Sequence, residues 1–124
     1  MKIYYAHCQS IYGTNRERKD IAMLEAMGFE VVNPNTQEIL RGLEEFRLKN
    51  PQESSMTYFC RIAEGCGAIA FRGIPGGGIT AGVFMEIECV GVLGKPVIEL
   101  PNQMVTRQMT REQTMEYLLD VGQQ

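Results

Sequence analysis

Two glutamates, Glu86 and Glu88, sit in the stretch TAGVFMEIECVGVLGKPVIEL (Thr80 to Leu100), among valine, phenylalanine, methionine, isoleucine and cysteine. A helix that is apolar nearly all round is buried, and a carboxylate inside it needs a partner or a cavity. Such an acid is a candidate for chemistry. The alternative is a solvent-facing acid on an unusually apolar helix. Helical periodicity leaves the choice open, since Glu86 groups with Gly82, Val83 and Cys89 while Glu88 groups with Phe84, Met85 and Val92.

Just before this helix runs a glycine loop, Gly73-Ile74-Pro75-Gly76-Gly77-Gly78. Successive glycines let backbone N–H groups approach a ligand closely, and the helix N-terminus at Thr80 adds a positive dipole end, so a phosphate is stabilised there. The alternative is a loop whose glycines merely avoid strain. Gly76 to Ala81 also fits GxGxxA, with Glu99 about twenty residues on, which raises a dinucleotide-binding reading. That fingerprint belongs after the first strand, and here it comes late in the chain.

His7 and Cys8 are adjacent, so they rarely point at one another as base and nucleophile. His7 is a candidate ligand contact. Ser10 and Gly13, ahead of a helix start at Thr14 and close to Arg16, form a candidate second anion-binding corner, with ordinary helix capping as the alternative. Cys8, Cys60, Cys66 and Cys89 show no CxxC pair, and the single histidine has no metal-ligand spacing. Free thiols and no metal site are expected.

The elements that must hold these residues alternate between strand and helix. Lys2 to Ala6 reads as a strand buried on both faces, followed by a helix from Thr14 or Asn15 to Met27 with Ile21, Leu24 and Met27 inward, and by Gly28 as its stop. Phe29 to Asn33 is a second strand, Thr36 to Lys49 a polar helix, Met56 to Glu64 another helix, and Gly67 to Phe71 a third strand. After the glycine loop and its helix, Val97 to Leu100 is a fourth strand. A short edge strand near Met104-Val105 precedes a last helix, opened by a Thr110/Gln113 capping box and stopped by Gly122. This pattern predicts an α/β fold: a flavodoxin-like, Rossmannoid three-layer sandwich with a parallel sheet of four or five strands in the order 2-1-3-4-5. Ligands in such sheets sit at the carboxyl ends of the strands near the switch between strands 1 and 3, where the His7 to Gly13 and Arg72 to Thr80 loops meet.

The 124 residues suit one domain. A net charge of -3 leaves no electrostatic footprint for duplex nucleic acid. No apolar run is long enough for a membrane span, and Met1-Lys2 leads straight into a strand, so no signal peptide is expected and the location expected is cytoplasmic.

YYAHCQSIYG, EGCGAIAF and above all TAGVFMEIECVGVLGKPVIEL resemble the nucleoside 2-deoxyribosyltransferase family, including its branch of deoxynucleoside 5'-monophosphate N-glycosidases. Glu86 stands eight residues before Gly94-Lys95-Pro96, the family's spacing for its nucleophile, and Glu88 does not. The resemblance implies attack by Glu86 on the anomeric carbon of a deoxynucleoside or its monophosphate, a covalent glycosyl-glutamate, and resolution by water or a second base. It implies Tyr4 near the nucleophile, phosphate held at Gly78, Thr80 and Gly82 and by a first loop containing Ser10 and Gly13, no cofactor, and a homodimer. Where the family usually has an aspartate that assists protonation of the leaving base, this chain has Tyr58, and Cys66 replaces an aspartate common before strand 3. Tyr58 is the candidate donor. A noncatalytic nucleotide-binding module of the same fold is the competing expectation.

Overall fold

The computed structural model describes residues 1–101, 110–120 and 122. The first strand, β1 (Lys2–Ala6), is central, and its alternation explains why. Ile3 and Tyr5 project to one face, Tyr4 and Ala6 to the other, and all four are completely buried. Only a strand covered on both sides accepts that pattern. Among the described residues, β1 joins β2 (Glu30–Val32), β3 (Ala68–Phe71) and β4 (Val97–Glu99) in one all-parallel sheet of order β2-β1-β3-β4. Tyr4 sits beside Val32 and Ile69, and Ala6 beside Phe71. The expected edge strand near Met104-Val105 lies outside the described residues.

Short polar side chains start the helices. Thr14 accepts from the Glu17 N–H to open α1 (Asn15–Ala26), Thr36 from Ile39 to open α2 (Gln37–Lys49), and Ser54 from Met56 to open α3 (Ser55–Glu64). Each such cap is worth about 1 kcal/mol. Helix α4 (Ala81–Gly91) starts at Thr80. The reciprocal Thr110/Gln113 capping box opens α5 (Arg111–Asp120).

Helices α3 and α4 cover the Tyr4 face through Ala63, Val83 and Val90, and α1 covers the Tyr5 face through Leu24, giving the three layers of a flavodoxin-like α/β sandwich. Burying one such apolar side chain contributes roughly 1.5–3 kcal/mol. The inner face of α1 differs from the expected Ile21, Leu24 and Met27: Met27 is 56% exposed, while Glu17 and Asp20 are buried beside Leu24. Hydrophobicity points Met27 inward, but specific partners for the two acids turn the helix otherwise. No described helix is long and apolar enough to cross a membrane.

Candidate active site

The carboxyl ends of β1 and β3 open onto a cleft of about 280 Å³ on the Tyr4 face. Its walls are the loop after β1, with Cys8 and Tyr12, the first turns of α4, from Thr80 to Glu86, and Met56 and Phe59 of α3. Helix α4 approaches α3 closely here: a Cβ at Gly82 would meet the Met56 sulfur at 3.5 Å, an ordinary van der Waals contact. A larger groove, about 610 Å³, lies between β2, α2 and α3. Size favours the groove, but the smaller cleft sits at the switch point and holds the converging titratable groups, which is the stronger mark of a site.

Glu86 is the buried acid of α4, 7% exposed, whereas Glu88 faces solvent. The two residues of separation that hydropathy cannot interpret are about 200° of rotation on a helix, enough to put them on opposite sides. The Tyr4 hydroxyl donates to Glu86 Oε2. Burial raises the Glu86 carboxyl to about 7, against the Tyr4 hydrogen bond, which lowers it. Burial and the neighbouring Glu86 charge push the Tyr4 phenol far above its usual range, so it remains a donor. Among the described residues no cation pairs with Glu86. The carboxylate therefore meets the cleft with one hydrogen bond and its charge unneutralised.

His7 also lines the cleft, 4% exposed, but both of its ring nitrogens are engaged. Nε2 lies 2.7 Å from Glu17 Oε2 and Nδ1 lies 3.0 Å from the Tyr5 carbonyl oxygen. The Tyr5 ring stacks on the imidazole at 3.8 Å, and the Tyr12 ring leans against it at 4.8 Å. Burial opposes ionisation of Glu17, yet hydrogen bonds from His7, Gly13 and Asn35 outweigh it and hold the carboxyl below its usual value. His7 is thus a rigid post for the loop, and its geometry excludes a Cys8–His7 couple.

Thr80 is at the cleft with a hydroxyl that makes no capping bond, although Thr14, Thr36, Ser54 and Thr110 all cap with theirs. With Gly82 it presents an uncommitted donor and the positive end of α4 to a ligand.

The structure brings Glu86, Tyr4, His7, Thr80 and Gly82 together and leaves four other expected residues apart. Tyr58 lines the larger groove, and its hydroxyl donates to the Ile39 carbonyl oxygen at 2.6 Å. Gly42 makes room for it, because a Cβ there would overlap the Tyr58 hydroxyl. Tyr58 pins α3 to α2 and is not a proton donor at Glu86. Gly13 spends its N–H on Glu17 Oε1 at 3.2 Å, and that carboxylate opposes an anion in the expected corner. Ser10 is exposed on the turn at Gln9–Ile11, where it lowers the pKa of the Cys8 thiol. Gly78 is exposed in a loop closed on itself: Ile74 N–H donates to the Gly78 oxygen at 2.8 Å and Gly77 N–H to the Ile74 oxygen at 2.9 Å. Gly76 and Gly77 have φ values of 94° and 91°, so their glycine character serves the turn.

Sequence reasoning missed Tyr12, Met56 and Phe59 as residues of the cleft. An aromatic residue directly before Gly13 in the loop after strand 1 was the available signal for Tyr12; nothing in the periodicity of α3 marks its cleft residues. Neither family models, curated proteins nor solved structures match the chain. Among the described residues no three His, Cys, Asp or Glu side chains cluster as a metal site.

Proposed function

We propose that this protein cleaves or exchanges the N-glycosidic bond of a deoxynucleoside or its 5'-monophosphate through a covalent glycosyl-Glu86 intermediate. One observation carries the reading: a buried carboxylate, aimed by a tyrosine hydroxyl and without a countercharge, lines a cleft at the switch point of the sheet. Burial holds its pKa near neutrality, so the ionised form needed for attack exists at neutral pH and is more reactive for being poorly solvated. Tyr4 occupies one carboxylate oxygen, leaving the other for the anomeric carbon. The positive charge developing on the sugar in the oxocarbenium-like transition state then supplies the countercharge that Glu86 lacks. Thr80 and the start of α4 suit a 5'-phosphate. The homodimer implied by the resemblance would use the outward face of α4, where Phe84, Met85 and Val92 are exposed.

The test is chromatographic detection of free base from the four 2'-deoxynucleoside 5'-monophosphates. Glu86→Ala lowers release on the order of 10³-fold or more. The exposed Glu88→Ala serves as the matched control and keeps it. Equal release by wild type and Glu86→Ala contradicts the proposal. A second reading, binding without turnover, draws on Tyr58 being committed to Ile39. It requires a nucleotide that raises the melting temperature and is recovered unchanged.

A further inference from the structure

Breaking a glycosidic C–N bond leaves its electron pair on the departing base, which needs a donor as the negative charge develops. The cleft offers few. Tyr4 is committed to Glu86, both His7 nitrogens are engaged, Ser10 favours the ionised form of the Cys8 thiol, and Tyr58 lies in another groove. Tyr12 is different. It lines the cleft with Glu86, its hydroxyl makes no hydrogen bond among the described residues, and its ring is held against His7, itself fixed by Glu17 and the Tyr5 carbonyl.

We infer that Tyr12 is a further catalytic residue of this site, the group that donates a proton to the leaving base. The inference rests on the reading of Glu86 as nucleophile. In the first half-reaction a Glu86 oxygen bonds to the anomeric carbon, the C–N bond breaks with its electrons going to the base, and the base takes the Tyr12 proton. In the second, water adds to the anomeric carbon, the ester C–O electrons return to Glu86, and the water's proton restores Tyr12. Burial and the Glu86 charge raise the Tyr12 phenol to about 12, so it holds its proton at neutral pH until the base becomes a strong acceptor. The His7 post makes Tyr12 a placed donor.

The test compares Tyr12→Phe, which keeps the ring and its contact with His7, on two substrates: a 2'-deoxynucleoside 5'-monophosphate and a nitrophenyl 2-deoxyriboside 5-phosphate, whose leaving group needs no proton. The expected result is a loss of kcat of about 10²-fold on the nucleotide, with little change in KM, and less than about threefold on the nitrophenyl substrate. Equal losses on both, or none on the nucleotide, overturn the inference. Glu86→Ala is run beside it on both substrates. Activity surviving that change on either substrate overturns the nucleophile reading beneath, so the two failures are told apart.

Discussion

Tyr4 and Tyr5 are neighbours on β1, and each ends on a carboxylate buried on its own side of the sheet. The two pairs differ in what else the carboxylate meets. Asp20, with no exposed surface, accepts the Tyr5 hydroxyl at 2.6 Å and Arg72 Nε and Nη2 at 2.9 and 2.6 Å, with Arg16 at 3.6 Å. Arg72 also donates to the Pro101 carbonyl oxygen, so this cluster ties α1, β3 and the chain after β4 into one unit. Glu86 has Tyr4 and, among the described residues, no cation. Burial is common to both; the countercharge separates the carboxylate that holds the fold from the one left available for a ligand.

The comparison breaks most sharply at Asp20. Asp20→Asn leaves Arg72 buried and unpaired, and urea denaturation should show a loss of about 3–5 kcal/mol. A loss below about 1 kcal/mol would make the two pairs energetically alike.

Glu86→Gln should act in the opposite direction. The folded pKa of Glu86 is raised, so its favourable contribution is complete below the unfolded value near 4.5 and is lost as pH rises through about 7. Removing the charge should leave stability unchanged near pH 4 and raise it by about 3 kcal/mol at pH 8, read from urea midpoints at the two pH values. Destabilisation at pH 8 would mean that the carboxylate is satisfied after all.

Smaller effects follow at the tyrosines. Tyr4→Phe removes the hydrogen bond that favours ionised Glu86, so the acid limb of kcat/KM, expected near pH 7, should move to higher pH. Tyr58→Phe should cost about 1 kcal/mol through the lost bond to Ile39 and leave base release unchanged. A loss of turnover there would return Tyr58 to the site.

The sheet was legible because strands and helices alternate with clear stops, and β1 carries no polar residue between Ile3 and Ala6. The spacing taken from the resemblance singled out Glu86, whereas hydropathy treats both acids alike and could not show that Glu86 is the buried one. The Asp20 cluster was not. Its members are separated by up to 52 positions, and only the register of β1 against β3 brings Arg72 to α1. The glycine loop misled for a local reason: positive φ in a turn and close approach to a phosphate ask for the same residue.

The measurement closest to the central claim is mass spectrometry of protein quenched in acid during turnover of a deoxynucleoside monophosphate. A deoxyribosyl phosphate ester should appear on the peptide carrying Glu86 and be absent in Glu86→Gln. Steady base release with the Glu86 peptide unmodified throughout, or with the ester on another residue, would contradict it.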